Sequence, residues 1–324
     1  MFQNINESTV ENQNYEENKK EKKKIELFAD VFSVKNIPIY IISLMISMVG
    51  ITGDVSPFSI SILGASIANS VPLLGIVLFG IIGNAIKFGI SGALTYILTA
   101  LVLIVTMFLI KPKYIDDEQN EKVKLSKNIF IASMIIQLAK IGISGFTLYD
   151  VLSVICFSII AVVFYKIFVN SILALSGFVE GKAFSIEEIL GASLMVAISV
   201  SAFGDLNILG FSIRNILSIL IVLILGWKNG VLVGTTAGVT IGVTLGVITS
   251  SDPVMVAAYA ISGMIAGVLN KFGKIGVIIG FCLGNIVLAY VSNGYTVELI
   301  HFKEILIASI GLLAVPKSVQ INIK

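Results

Sequence analysis

Charged side chains inside a membrane are the groups from which a transporter or a proton pump is built. A charge there costs roughly 2.5–3.5 kcal/mol on insertion scales and therefore persists only for function. Lys87 and Lys140 lie near the ends of predicted spans, from where long side chains can reach the surface. The carboxylates of interest also fall at predicted span ends: Asp54, Asp150, Asp205, Asp252 and Glu298. The sequence therefore predicts no charge at the centre of a span.

Three asparagines, Asn69, Asn84 and Asn285, are polar and partly embedded in apolar segments. Hydrogen bonding between helices is the favoured interpretation, because a buried amide needs a partner. A broken helix around Asn84 and Lys87 is the other interpretation, and it keeps a small-molecule transporter or a substrate-binding membrane component open as an alternative.

Patterns typical of soluble enzymes are weak in this chain. His301 is the only histidine, so neither a histidine triad nor a zinc site is expected. The segment 267–274 fails the phosphate-loop pattern, since Ile275 follows the lysine where Ser or Thr is required. Cys156 and Cys282 have no disulfide or metal-ligand spacing. We predict no catalytic, metal or cofactor site in these residues.

The acidic pair Glu187 and Glu188 follows Ser185. A serine three residues before a glutamate predicts a capping box, in which each side chain bonds the other residue's backbone amide. Glu187 adds negative charge where the helix dipole favours it. A helix start is the favoured interpretation, and a cytosolic contact site or a carboxylate-lined cavity is the alternative.

The elements that carry these residues are set by an extreme composition. Of 324 residues, 56% are hydrophobic and 13% charged, with a mean hydropathy of +0.98, whereas soluble domains carry roughly 25% charged residues. The net charge of +2 is too small to suggest a nucleic-acid partner. We predict an all-α, polytopic transmembrane helix bundle of ten to twelve spans, with the lipid bilayer as its first partner.

The chain divides into five predicted regions. A cytosolic basic tail (1–36) contains a possible interfacial helix over residues 25–32, for which a solvated leader is an equal alternative. The first membrane helices (37–110) precede a cytosolic loop (111–127), and the remaining membrane helices (128–316) precede the start of a cytosolic extension (317–324). Alternating crossings place most lysines on one face, which predicts that both termini are cytosolic.

Glycines recur every fourth residue in the second half of the chain. A spacing of four keeps residues near one helix face, where another backbone can approach closely. We expect three successive segments to pack on one another through such faces, within a chain or between chains in self-association. The predicted helix-packing residues are Gly226, Gly230, Gly234, Gly238, Gly242, Gly246, Gly263, Gly267, Gly276, Gly280 and Gly284.

Several motifs of the second half resemble the membrane region of the stage II sporulation protein E family. They are SIEEIL at 185–190, the glycine ladder after Trp227 and Lys228, SGMIAGVLNKFGKIGVIIG at 262–280 and AVPKSV at 314–319. The resemblance covers about residues 185–320 in pattern and order, and residues 1–184 in layout alone.

The resemblance implies a membrane-anchoring module that localises a sporulation phosphatase to the asymmetric division septum of endospore-forming Firmicutes. In that family a cytosolic region beyond the membrane part associates with the tubulin-like division ring. A C-terminal PP2C-type domain, dependent on manganese or magnesium, dephosphorylates an anti-anti-sigma factor and so activates the forespore sigma factor. The acidic metal-binding motifs of that domain are absent from these residues, so no catalytic residue is assigned.

Overall fold

The computed structural model describes residues 33, 36–50, 55–109, 118–145, 147–180, 185–204, 206–249, 252–293 and 299–316. The predicted interfacial helix, the segments 111–117 and 317–324, and Asp54, Asp205 and Glu298 lie outside the described residues. The described residues are almost entirely helical, which confirms the all-α prediction.

Ten α-helices, one 3-10 turn and one two-stranded hairpin follow one another along the described residues. They are α1 (Ile37–Ser47), α2 (Pro57–Ala68), α3 (Leu73–Leu109), α4 (Glu118–Ser144), α5 (Leu148–Glu180), α6 (Ile186–Ser201), β1 (Asn207–Ile208), β2 (Phe211–Ser212), α7 (Ile213–Thr249), α8 (Pro253–Val268), the 3-10 turn Leu269–Phe272, α9 (Gly273–Asn293) and α10 (Phe302–Ala314). Helix is the expected answer because hydrocarbon offers backbone amides no other partner.

The helix α3 is two antiparallel arms (73–88 and 90–109) joined at Gly89. Gly89 has φ 70° and ψ −163°, which is not helical. Gly80 lies against the phenol of Tyr96, although sixteen residues of continuous helix would separate their backbones by about 24 Å. The chain therefore reverses at a single residue whose conformation is essentially restricted to glycine.

Two further reversals in the second half have the same geometry. Gly230 divides α7 into arms 213–229 and 231–249, with φ 76° and ψ −156°. A Cβ on Gly234 would lie 3.1 Å from the Cα of Gly226, where a continuous helix would place them about 12 Å apart. Gly273, with φ 72° and ψ −157°, reverses the chain between α8 and α9.

Five helical segments of the described residues are long and apolar enough to cross a membrane. They are Leu73–Met107, Lys122–Ile143, Leu148–Leu175, Ile213–Thr249 and Pro253–Ser292. Three of them have 35, 37 and 40 residues, well beyond the roughly 20 that one crossing needs. These three are the segments that contain a glycine reversal, so each is a pair of shorter helices.

The second part of the polar segment 111–127 is helical and forms the start of α4. The helix begins at Glu118, so residues 118–127 are not the loop that the sequence predicted. Leu125 is buried, and the hydroxyl of Tyr165 on α5 donates a hydrogen bond to the carbonyl oxygen of Lys122 over 3.1 Å. Packing against α5 thus overrides the low apolar content of this segment.

A hairpin of two-residue strands interrupts the helices before α7. Asn207 pairs with Ser212, and Ile208 pairs with Phe211. Leu209 and Gly210 both have positive φ, 55° and 80°, as a two-residue hairpin turn requires. The sequence analysis placed these residues among the remaining membrane helices (128–316), so this hairpin is a correction.

Buried side chains form two main hydrophobic clusters. The first joins α1 to α6 and contains Tyr96, Tyr165 and Phe168. The second joins α7 to α10 and contains Tyr259 and Phe281. The helix α6 contributes Ile198 to the first cluster and Ala197 to the second, so it connects the two halves.

Candidate functional site

Glycines of the second arm of α7 lie directly against the backbone of α8. A Cβ on Gly234 would lie 2.6 Å from the carbonyl oxygen of Gly263. One on Gly238 would lie 2.8 Å from the carbonyl carbon of Tyr259, and one on Gly242 would lie 2.8 Å from a backbone Cα of α8. Real Cβ atoms essentially never come closer than 3.0 Å to such neighbours, so these three positions have no room for a side chain.

The same helix α8 is approached on its other side by glycines of α9. A Cβ on Gly280 would lie 2.7 Å from the carbonyl oxygen of Ile265, and one on Gly284 would lie 2.5 Å from a backbone Cα one turn away. A Cβ on Gly267 of α8 would lie 2.6 Å from the carbonyl oxygen of Gly230 at the reversal, and Gly276 lies beside the 3-10 turn. The structure thus brings three successive helices together on small-residue faces.

The ladder from Gly226 to Gly246 does not lie on one helix. Gly226 precedes the reversal and Gly234 follows it, so the expectation that this spacing keeps all six glycines near one helix face is corrected. The two ends are looser than the middle: a Cβ on Gly226 would lie 3.6 Å from its nearest neighbour, and one on Gly246 would lie 3.4 Å from the Val256 side chain. The close approach is confined to the central glycines.

These glycine faces can hold helices together but contain no reactive group. In lipid there is no hydrophobic driving force between helices, so close backbone approach and the dispersion contacts that it allows provide the attraction. This site therefore packs α7, α8 and α9 rigidly against one another.

The three embedded asparagines bond backbone groups outside their own helices, and Asn69 bonds a residue within another helix, as predicted. The Asn69 amide donates to the carbonyl oxygen of Val169 on α5 over 3.1 Å. Asn84 accepts from the amide of Ser56 over 3.2 Å and donates to its own helix. Asn285 donates to the carbonyl oxygen of Ile300 over 2.8 Å and accepts from its amide over 3.1 Å. These bonds confirm the structural interpretation.

A buried carboxylate that the sequence interpretation missed lies at the start of α10. Glu304 is 3% exposed. It accepts hydrogen bonds from the Ser212 amide over 3.3 Å and from the Asn215 side chain over 3.0 Å. The adjacent Lys303 donates to the carbonyl oxygen of Gly210 over 2.8 Å. An acid in the first turn of an apolar helix was the available signal, because the helix dipole favours it there.

The remaining charges singled out in the sequence lie at helix ends or on the surface. Asp150 accepts from the Thr147 hydroxyl over 2.6 Å at the start of α5. Asp252 is the N-cap residue of α8, although its side chain makes no capping bond there. Lys87 is exposed two residues before the reversal at Gly89.

The cysteines are both free, but only Cys282 is partly buried. Cys156 is exposed on α5, so it does not lie in a helix interface. His301 is an exposed N-cap residue of α10. Within the described residues no group of three or more His, Cys, Asp and Glu side chains could hold a metal ion.

The acidic pair at the start of α6 is divided between two roles. The Ser185 amide donates to the Glu188 carboxylate over 2.7 Å, and the Glu188 amide donates to the Ser185 hydroxyl over 3.2 Å. This confirms the predicted capping box. Glu187 instead lines a groove of about 370 Å³ between α5, α6 and α7, together with Lys166, Ile167, Asn170, Leu190, Gly191, Leu194 and Thr240.

A lysine and a tryptophan join the ends of three helices on the side of the Gly230 and Gly273 reversals. The Lys274 ammonium donates to the carbonyl oxygen of Leu313 over 2.9 Å and also to that of Val315. It lies 4.9 Å from the centre of the Trp227 ring, within the range of a cation–π contact. This cluster fixes the last turn of α10 against α9.

Comparison with known proteins gives one match. No curated protein and no solved structure matches the chain. The model of the SpoIIE N-terminal domain matches residues 1–324, which is the whole chain and includes the part where the sequence resemblance rested on layout alone. The apolar helices and the glycine-packed second half are thus those of a known membrane module, and the chain belongs to the SpoIIE N-terminal domain family.

Proposed function

We propose that this chain is the membrane-anchoring and septum-localising module of a sporulation protein-serine phosphatase. The observation that carries the proposal is the match of the SpoIIE N-terminal domain to residues 1–324. In the full-length form, a domain outside these residues would bind manganese or magnesium and dephosphorylate the anti-anti-sigma factor, which activates the forespore sigma factor. The division-ring protein would also bind outside these residues.

The packing of the described residues supports an anchor. The central glycines join α7, α8 and α9 backbone to backbone, and the embedded amides are engaged in internal hydrogen bonds. Such an arrangement resists internal rearrangement, because neither side-chain rotation nor water can be accommodated where backbones touch. A rigid module of this kind suits the fixed attachment of a cytosolic domain.

The proposed topology has ten to twelve crossings with both termini cytosolic. Helices that are two apart in a series of alternating crossings should be parallel, and α1 runs parallel to the first arm of α3: Gly75 lies against Tyr40, and Gly83 lies against Ser47. The short helices α1 and α2, of 11 and 12 residues, cover only about 16–18 Å each. They are the two crossings that are lost at the lower limit of ten.

Self-association, in this proposal, uses surfaces other than the glycine faces. The central glycines are already occupied within the chain by α8. Replacing both Gly234 and Gly238 by leucine should therefore unfold the second half, and the fraction that remains folded should keep its oligomeric state in single-molecule photobleaching. Dissociation of a fully folded oligomer into monomers would instead place the glycines between chains.

The localisation test uses the chain fused to a fluorescent protein in a sporulating endospore-forming bacterium. Fluorescence should concentrate at the asymmetric septum, whereas an unrelated polytopic protein of similar size with the same tag should label the whole membrane. Uniform labelling by both fusions, at matched expression, would overturn the localising role.

The double variant Glu187→Gln/Glu188→Gln tests the cytosolic contact predicted for the acidic pair. Septal fluorescence equal to that of the parent chain would exclude such a contact.

A substrate-binding membrane component is the second candidate, because Glu187 lines a groove with Lys166 and Asn170. The other two residues named for that alternative do not contribute: Asn84 is buried and bonded, and Lys87 is exposed. Proteoliposomes containing the chain should take up no radiolabelled amino acid, sugar or inorganic ion above the level of empty liposomes. Uptake that Glu187→Gln abolishes would favour this second function.

A further inference from the structure

The groove between α5 and α6 contains opposite charges that are not paired with each other. Lys166, Asn170 and Glu187 are all exposed, and within the described residues none of their side chains has a hydrogen-bond or ion-pair partner. A cation, an amide and an anion that share one groove without joining are suited to a ligand that carries both charges.

One face of α5 changes from apolar to polar as it enters this groove. Ile159 and Val163 are 50% and 47% exposed, and Lys166 and Asn170 follow at helical spacing on the same face. The apolar part of this face lies nearer the middle of the candidate span Leu148–Leu175, and the polar part lies towards its end. This is the polarity profile of a phospholipid, with acyl chain first and headgroup second.

The order of the charges along the membrane normal follows from the packing of α5 against α6. A Cβ on Gly191 would lie 3.3 Å from the carbonyl oxygen of Ile167 and 2.7 Å from the Ser171 hydroxyl. Since the two helices run in opposite directions, Glu187 is about one turn further from the membrane centre than Gly191. The positive Lys166 is therefore the deeper charge, and the negative Glu187 is the outer one.

We infer that this groove binds a zwitterionic phospholipid whose headgroup ends in a primary ammonium, as in phosphatidylethanolamine. The deeper Lys166 ammonium and the Asn170 amide donate hydrogen bonds to the lipid phosphate. The outer Glu187 carboxylate accepts from the lipid ammonium, and an acyl chain lies along Val163 and Ile159. Leu190 and Leu194 of α6 line the opposite wall.

Other common headgroups complement the groove less well. The glycerol headgroup of phosphatidylglycerol has no cation for Glu187 and leaves two negative groups close together. The quaternary ammonium of phosphatidylcholine has no N–H to donate, so its contact with a carboxylate lacks the charge-assisted hydrogen bond. The predicted order of affinity is phosphatidylethanolamine above phosphatidylcholine, with phosphatidylglycerol last.

Native mass spectrometry of the full chain, titrated with each lipid in detergent, tests the inference. Glu187→Gln removes the outer charge at constant size, and Glu188→Gln is its matched control, because glutamine still completes a capping box. For a solvent-exposed charge pair, the loss of phosphatidylethanolamine affinity in Glu187→Gln should be about threefold to fivefold. Glu188→Gln should bind like the parent chain, and Lys166→Gln should bind both zwitterionic lipids more weakly.

Three results would overturn the inference. They are equal affinity of the parent chain for phosphatidylethanolamine and phosphatidylcholine, equal losses of phosphatidylethanolamine affinity in Glu187→Gln and Glu188→Gln, and tighter binding of phosphatidylglycerol than of phosphatidylethanolamine.

Free phosphoethanolamine, which lacks acyl chains, should compete poorly with the whole lipid. If it competes as well as the whole lipid, the groove takes a soluble solute and the lipid assignment is wrong. The anchoring proposal is tested by septal fluorescence, which none of these binding results measures.

Discussion

Gly234 of α7 and Gly263 of α8 face each other, and neither position has room for a side chain because the backbone of the other glycine is too close. A Cβ on Gly234 would lie 2.6 Å from the Gly263 carbonyl oxygen, and a Cβ on Gly263 would clash with the Gly234 carbonyl oxygen. Because both contacts are with backbone, no rotation of a side chain can relieve them. Glycine costs roughly 1 kcal/mol in a helix interior, and here that cost is offset by contacts that no other residue permits.

Even the smallest side chain at the centre of this interface should be destabilising. We expect Gly238→Ala to lower the free energy of unfolding by about 1–3 kcal/mol, the usual cost of overpacking, because the new Cβ meets the Tyr259 backbone at 2.8 Å. Reversible unfolding in mixed detergent measures it.

Gly246→Ala is the matched control on the same ladder. Its Cβ would meet only the Val256 side chain, at 3.4 Å, and alanine favours helix more than glycine does. Equal stability of the two alanine variants would contradict the close approach at Gly238.

The positions of the helices could largely be predicted from the sequence, whereas their joints and pairings could not. Apolar runs broken by polar residues locate most of the helices, because hydrocarbon permits few alternatives. Where polarity was the guide, the prediction erred: residues 118–127 are helical because Leu125 and Lys122 pack against α5, a tertiary contact that a hydropathy pattern cannot contain.

The glycine ladder shows a second limit of sequence interpretation. Periodicity of four correctly marks small-residue positions, but it does not reveal that the chain reverses at Gly230. A shared pattern was present: Lys87, Lys228 and Lys271 each stand two residues before a reversing glycine. A lysine near the C-terminus of a helix is favoured by the helix dipole, but Lys-x-Gly alone does not identify a reversal, because Lys140 and Lys274 also stand two residues before glycines that are helical. The position of Glu304 in the first turn of an apolar helix was a signal, but its partners could not be predicted, because Ser212 and Asn215 are about ninety residues away.

The reversal at Gly89 should depend on backbone conformation alone. No atom lies within 4 Å of a Cβ placed there, but φ 70° with ψ −163° is a region essentially restricted to glycine. We expect Gly89→Ala to cost about 1–3 kcal/mol, as measured by thermal unfolding of the purified chain.

Gly89→Asn should be as unfavourable as alanine, since asparagine tolerates left-handed helical backbone but not this ψ. Gly142→Ala is the control, because Gly142 is helical and its Cβ would also meet nothing within 4 Å. A neutral Gly89→Ala would mean that the turn has another conformation.

Loss of the Glu304 charge should loosen the hairpin 207–212. Glu304→Leu leaves the Ser212 amide and the Asn215 side chain without their acceptor, which costs about 1–3 kcal/mol for buried donors. Hydrogen exchange at residues 206–212 should accelerate, while exchange in α8 stays slow.

Lys303→Gln provides the comparison for that variant. Lys303 is exposed and bonds the same hairpin at Gly210, so its replacement should change exchange far less. If both variants accelerate exchange equally, the buried carboxylate is not what holds the hairpin.

Cysteine labelling should report alternating crossings. In a chain with Cys156 and Cys282 replaced by alanine, Tyr149→Cys should react with a membrane-impermeant maleimide added to intact cells, because Tyr149 is 74% exposed beside a turn on the proposed outer face. Lys271→Cys, beside the inner reversal at Gly273, should react only after the cells are opened. Labelling of both residues from the same side would refute the proposed order of crossings.

Reversal at one residue also bears on how such a chain enters the bilayer during synthesis. At Gly89 and Gly230 no loop separates the helices, and at Gly273 only a 3-10 turn does, so a newly made first helix has only a short polar flank until the second follows. We expect the two helices of each pair to insert into the bilayer together. The orientation of the pair across the membrane is then fixed in one step.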